Sequence, residues 1–358
     1  MTGQAHGWPS RPAATLLGGP DARGVLISAS RDPDAKLTFV ITGRDDRTAD
    51  GSGGPAVGRT AAGERLAVKI PTTAAAGEAV DREGRMLVEI RRLGLGPLAT
   101  TVPRYVESLT AEDRPVLVST AVPGTPMSVG YHRWSHTLRP AAVRRDVDAA
   151  FGWLAAFQAA TARGSAPTDW PQRVLDAVRG RWDGHPALPA AAVRLEAARD
   201  RLADHRCPTT AVHGDFWFGN VMVQGGAVTG VVDWENASPA GCALRDPARF
   251  VLSYALYLDR HTREGSRVLG HPGLTRTGFG PGLHYALCGS GWLPRLVQDS
   301  LGQRLLRLGL PPSLWYDVAL SGLGEVAASA NSDEFGAGHL QVLATLPVRA
   351  RRHRRQPR

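Results

Sequence analysis

The stretch "VHGDFWFGN" (212–220) sets three polar side chains, His213, Asp215 and Asn220, among Phe216, Trp217 and Phe218. A carboxylate and an amide inside an apolar run are costly unless something engages them. Thirteen residues further on, "VVDWE" (231–235) ends a second apolar run on another acid, Asp233. Between the two lie "NVMV", the turn "QGG" and "AVTGVVD". That order predicts a β-hairpin. The hairpin returns the chain, so Asp233 is expected beside Asn220.

Two acids and an amide brought together in this way suit phosphoryl transfer from a nucleotide. That chemistry needs a carboxylate where the acceptor hydroxyl arrives, a cation on the phosphate oxygens and a bound Mg2+. Mg2+ takes hard oxygen ligands and keeps several waters, so one carboxylate and one amide oxygen suffice. Asp215 is the candidate base, and Asn220 and Asp233 are the candidate metal ligands. Taken singly, Asp215 caps a turn and Asn220 starts a hairpin. The joint pattern H-G-D-x-x-x-x-N, hairpin, V-D favours the functional reading. Zinc is excluded for His213, because no second histidine lies at ligand spacing nearby. His213 is expected to brace the loop by hydrogen bonds.

Working outward toward the N-terminus, "GVLIS" (24–28), "KLTFVIT" (36–42) and "RLAVKIP" (65–71) read as strands. A Gly-, Asp- and Thr-rich connection, 43–64, precedes the third. Residues 78–93 carry Met86, Leu87, Ile90 and Leu93 at helical spacing. "VPRYVES" (102–108) and "PVLVSTAVPG" (115–124) read as two more strands. Lys69 stands between apolar residues in mid-strand, where an ammonium needs a partner. Glu83 on the following helix is the first candidate, Glu78 the second, and Glu89 lies further from the helix start. No G-x-G-x-x-G separates the first two strands. Backbone N–H groups around Ser28 and Ser30 are candidate phosphate contacts, with the glycine-rich 51–58 as the other candidate. The strand ending near 122 should join two lobes and offer adenine the Thr120 carbonyl and the Val122 N–H. Pro123 has no N–H to give.

From about 139 the pattern becomes helical. Residues 139–162 form a strong amphipathic segment with Phe151, Leu154 and Phe157 on one side, another helix is expected near 188–204, and helices dominate 246–345. A chain of 358 residues with 43% hydrophobic and 21% charged residues fits a globular protein of two lobes. No apolar run approaches the roughly 20 residues that span a bilayer, and the first twenty residues lack a secretory pattern. Cys207, Cys242 and Cys288 form no disulfide framework. These features fit a cytoplasmic protein. Of the formal charge of +9, six arginines belong to the tail "RARRHRRQPR" (349–358). Removing them leaves +3, so nucleic acid is not expected as a partner and the tail reads as a solvated end. Of the 42 basic residues only Lys36 and Lys69 are lysines. A lysine kept in an arginine-using chain points to a task a guanidinium does not serve.

The segment "VHGDFWFGNVMV…VTGVVDWENASPAGCALRDPARF" (212–250) resembles the aminoglycoside phosphotransferase family, relatives of choline kinase and protein kinases. The resemblance implies an α+β, two-lobed, protein-kinase-like fold. A small antiparallel-sheet N-lobe would hold the nucleotide, and a mainly helical C-lobe would hold the catalytic loop. The expected divisions are an N-terminal arm at 1–20, the N-lobe at 21–122, the C-lobe at 123–348 and the basic tail at 349–358. It also implies ATP and Mg2+ as cofactors and a small-molecule hydroxyl acceptor. Asp215 falls on the family's base, Asn220 and Asp233 on its magnesium ligands, and Lys69 and Glu83 on its lysine–glutamate pair. Gly241, Asp246 and Pro247 fall on a structural element. The alternative is a nucleotide-binding pseudokinase with a scaffold role, suggested by the unusual phosphate loop. Segments after 250 are basic on balance, which favours a sugar, amino alcohol or other hydroxylated metabolite over an aminoglycoside.

Overall fold

The computed structural model describes residues 23–29, 35–42, 65–111 and 113–349. Ser30, the glycine-rich 51–58, the N-terminal arm and the tail beyond Arg349 lie outside the described residues, as does the side chain of Ser28.

Strands β1 (Arg23–Ala29), β2 (Lys36–Thr42), β3 (Arg65–Pro71), β4 (Tyr105–Ala111) and β5 (Arg114–Thr120) form one antiparallel sheet in the order β1-β2-β3-β5-β4. Side chains alternate across it. Leu66 and Val68 join Ile41, Val116 and Val118 in a small apolar cluster on one face. Lys69 therefore points to the other face, where its register partner Leu117 belongs to the main core with Val80 and Leu87. The latter two sit on helix α1 (Ala74–Arg92), which packs on β3 and β5. The helix begins four residues before the expected start at 78. Its start is set by a cap, Thr73 Oγ1 accepting the Ala76 N–H at 3.0 Å. The Ala-rich first turn carries no apolar–polar contrast that a periodicity would register. Likewise β4 starts at Tyr105, not Val102. Residues Gly96–Thr101 form a 3-10 turn, and Pro103 lacks the N–H that a ladder position requires.

After β5 the chain passes through Ala121–Gly124 into β6 (Thr125–Pro126), which pairs with β9 (Val221–Gln224). β9 and β10 (Ala227–Val231) form the expected hairpin around Gly225 and Gly226, both at positive φ. Gly230 allows a close approach here, since a Cβ would lie 2.5 Å from the Val122 side chain. A short helix, α2 (Met127–Tyr131), follows β6. Next come α3 (Pro140–Thr161), β7 (Ser165–Pro167), α4 (Trp170–Arg181) and α5 (Leu188–Leu202). β7, β8 (Arg206–Val212) and β11 (Ser238–Cys242) make a third small sheet.

The remaining helices are α6 (Arg245–Leu256), α7 (Pro281–Cys288), α8 (Trp292–Arg307), α9 (Trp315–Ser329) and α10 (Asp333–Thr345). α4, α5, α9 and α10 pack together. One continuous core runs from α1 through the hairpin to α10. Among the described residues no helix is long and apolar enough to cross a membrane.

Candidate active site

β8 delivers the chain to His213, and a distant carboxylate fixes the turn that follows. Asp246, fully buried in the first turn of α6, accepts the backbone N–H of His213 at 2.8 Å and that of Gly214 at 2.9 Å. Two charge-assisted bonds offset the cost of burying that acid. His213 Nε2 donates to the Val232 carbonyl at 2.9 Å, and Nδ1 accepts the Asp215 N–H at 3.3 Å. Both ring nitrogens are thereby engaged in bracing the loop against the hairpin. Gly214 takes φ 81°, and a Cβ there would stand 2.0 Å from the Asn236 carbonyl oxygen. Phe216 and Phe218 are fully buried. Phe216 stacks on Trp153 and Phe218 on Tyr131, which anchors the polar residues between them.

The Asn220 side chain donates to the Asp215 carbonyl at 3.0 Å and to its Oδ2 at 3.3 Å. With the amide nitrogen occupied in this way, the amide oxygen is the acceptor that remains for a cation. The Asn220 carbonyl accepts the Val232 N–H at 3.0 Å, which brings Asp233 alongside. Asp233 adopts a left-handed φ of 65°, a conformation that non-glycine residues rarely take.

From the sheet, Lys69 Nζ reaches both oxygens of Glu83 at 2.6 Å and also bonds Asp233 Oδ1. Glu83 Oε1 accepts the Trp234 N–H at 3.3 Å as well. Glu78 and Glu89 turn away to Arg82 and Arg92. The other lysine arrives at the same place, with Lys36 Nζ 2.5 Å from Glu235 Oε1. Oxygens of Glu83, Asp233 and Glu235 lie within 4.8 Å of one another.

The electrostatics follow from this crowding. Burial pushes the Lys69 ammonium down, but Asp233 and Glu83 outweigh it and hold it well above the usual lysine range. Burial pushes Asp233 up, yet Lys69 and Lys36 overcome it and hold the carboxyl well below the ordinary range. For Glu83 burial dominates over Lys69, and its carboxyl is raised. A divalent cation fits this donor set. The Asn220 amide oxygen, Asp233 and the buried Glu235 Oε2, which has no hydrogen-bond partner among the described residues, are hard oxygens.

Asp215 lines a cavity of about 750 Å³. Its walls include Trp217, Arg249, Tyr257, Phe279, Glu325 and Phe335. Arg249 ion-pairs with Asp215, and Arg245 donates to Glu325 at 2.7 Å. Glu334 stands exposed at the rim. Sequence reasoning missed Arg249, Glu235 and Lys36 as site residues. Of these, Lys36 carried a signal, the scarcity of lysine. Thr120 ends β5 and Val122 lies in the connection to the hairpin. Ser28 pairs with Thr38 in the β1–β2 ladder.

The model of the phosphotransferase enzyme family matches residues 49–253, more than half of the chain. Comparison with curated protein sequences finds no match. Among solved structures, the chain is similar to a thermostable mutant of the aminoglycoside phosphotransferase APH(4)-Ia in ternary complex with AMP-PNP and hygromycin B. The TM-score is 0.51 and the identity 14%, over 90% of this chain and 93% of that one. It is also similar to a putative aminoglycoside phosphotransferase from Ralstonia eutropha, with TM-score 0.50 and 14% identity over 93% and 94%. A macrolide 2'-phosphotransferase type I gives TM-score 0.50 and 17% identity over 94% and 95%. These likenesses show the kinase-like fold.

Proposed function

The chain belongs to the phosphotransferase enzyme family, and from that premise we propose that it is an ATP-dependent O-phosphotransferase. It would move the γ-phosphoryl group to a hydroxyl of a small molecule: a sugar, an amino alcohol, an antibiotic or a related metabolite. One observation carries the reading. Asp215, Asn220 and Asp233 are tied by the loop–hairpin hydrogen bonds, and Asp233 is bonded to the buried Lys69–Glu83 pair.

In this reading Asp215 orients the acceptor hydroxyl and takes its proton. Lys69 binds phosphate oxygens, and Glu83 holds the ammonium in place. Asn220 and Asp233 would hold Mg2+, whose charge, when bound, offsets the charge building on the phosphate oxygens. The backbone of Thr120 and Val122 would meet the adenine, and the backbone N–H groups of Ser28 and Ser30 would meet the phosphates. The cavity before Asp215 takes the acceptor. Its aromatic walls suit a sugar or other ring face, and its two arginines are already paired with acids. The AMP-PNP held by the similar APH(4)-Ia structure supports a nucleotide donor.

The pairing of Arg249 with the assigned base favours a second reading, a nucleotide-binding pseudokinase. Magnesium-dependent ATP consumption across a panel of hydroxylated acceptors decides between them. Asp215→Asn should lower turnover by about 10²- to 10⁴-fold and keep nucleotide binding. Undiminished turnover in that variant refutes the role given to Asp215.

A further inference from the structure

The two lysines of this chain, Lys36 and Lys69, stand among 42 basic residues and meet at one cluster. Sheet geometry explains how. Thr38 is the register partner of Lys69, and Lys36 lies two residues before Thr38 on the same strand. Side chains two apart share a face, and diagonal neighbours across a ladder lie within reach of long side chains. Lys36 thus projects from the same face as Lys69, at the N-terminal end of β2. Its side chain is 14% exposed and that of its partner Glu235 is 12% exposed, so the pair is largely withdrawn from water.

The charges explain what a second ammonium is for. Lys36 and Lys69 face Glu83, Asp233 and Glu235, so two positive charges meet three negative ones and the cluster carries −1. A divalent cation at Asp233 raises this to +1. A nucleoside triphosphate brings about four negative charges, and desolvated phosphate oxygens need charge-assisted donors. Without Lys36 the cluster with its cation would be neutral. Two ammonium groups this close repel one another, since each lowers the other's proton affinity. Asp233 and Glu235 outweigh both burial and that repulsion, and Lys36 stays charged. Between the first two strands no G-x-G-x-x-G supplies a run of backbone N–H groups.

We propose that Lys36 is a second phosphate-binding cation, which with Lys69 grips the polyphosphate of the nucleotide from the sheet side. This rests on the reading of the chain as a nucleotide-dependent phosphotransferase. The rival is a strut, in which the Lys36–Glu235 pair only ties β2 to the segment after the hairpin.

The test is calorimetric binding of ATP, ADP and AMP, with Mg2+, to the full chain and to Lys36→Ala, Lys36→Gln and Lys36→Arg. A phosphate contact weakens ATP by about tenfold or more in the Ala and Gln variants. ADP weakens less, AMP stays within about twofold, and Arg restores part of the loss through its charge. A strut predicts equal weakening for all three nucleotides, and that result overturns the proposal. So does an unchanged ATP affinity. Should one variant fail to fold by thermal melting, the other two carry the comparison. Failure of the unmodified chain to bind ATP overturns the phosphotransferase reading itself, whereas normal ATP binding with indifferent Lys36 variants overturns this inference alone.

Discussion

Arg249 sets two guanidinium nitrogens, Nε and an Nη, each 2.8 Å from the same oxygen of Asp215. The second carboxylate oxygen is left with a 3.3 Å contact from Asn220. The fork therefore fixes the direction in which Asp215 presents its freer oxygen to the cavity. Arg249→Gln should lower kcat by about 10- to 100-fold, the scale of a misplaced reacting group. KM for ATP should stay within about twofold. Steady-state kinetics with each substrate varied in turn checks both, and an unchanged kcat removes Arg249 from any part in positioning.

Lys69 stands between two buried or half-buried acids that would otherwise repel each other. Lys69→Met leaves Glu83 and Asp233 with their main counter-charge gone, and breaking a buried pair from one side costs about 3–5 kcal/mol. A large fall in melting temperature is expected, with loss of ATP turnover. Lys69→Arg should recover part of the stability but little turnover, because a planar fork does not fit a slot shaped for a point charge.

His339 on α10 forms the wall behind Phe279 and Phe335, with ring centroids 5.1 and 4.5 Å away, and donates Nδ1–H to the Phe335 carbonyl at 2.8 Å. Burial, aided by Arg249 and opposed by that carbonyl, lowers its pKa from 6.5 to about 4. The folded state holds the ring neutral while the unfolded chain protonates it. Stability is therefore fully present above pH 6.5 and is lost as pH falls toward 4, by on the order of 3 kcal/mol. Denaturant melts at pH 7 and pH 4.5 measure this, and His339→Gln should flatten the difference. Asp233 works in the same direction at lower pH. Its depressed pKa gives stability that is present above the ordinary carboxylate value and lost below it.

Gly214→Ala should unseat the 213–220 loop. The new Cβ would meet the Asn236 carbonyl at 2.0 Å, and φ 81° is unfavourable for alanine. We expect loss of turnover far exceeding the loss of thermal stability, with ATP binding reduced least. Turnover near that of the parent chain would show that the loop does not depend on this contact.

What the sequence made legible was local. The hairpin is announced by its glycine turn, the 213–220 loop by polar residues inside an apolar run, and the Lys69–Glu83 pair by a charge in mid-strand followed by an amphipathic helix. What stayed hidden depends on distance along the chain. Nothing near His213 reveals that the carboxylate of Asp246 will take its N–H from 33 residues away. Nothing near Asp215 announces Arg249, one arginine among 40. Helix α4 is also hard to see in the sequence. It is short and charged, and its buried side rests on Trp170, Pro171, Val174, Leu175 and Val178. The cavity is assembled by α6, α9 and α10 meeting in space, an event with no sequence signature.

The cavity's far wall, Phe279 and residues 329–335 where α9 gives way to α10, comes from a part of the chain beyond residue 253, where the family match ends. The cavity is thus built jointly, with Asp215, Trp217 and Arg249 from inside the matched stretch and Phe279, Glu325 and Phe335 from beyond it. Changes confined to the stretch beyond residue 253 would reshape that far wall while leaving the Lys69, Glu83 and Asp233 cluster untouched.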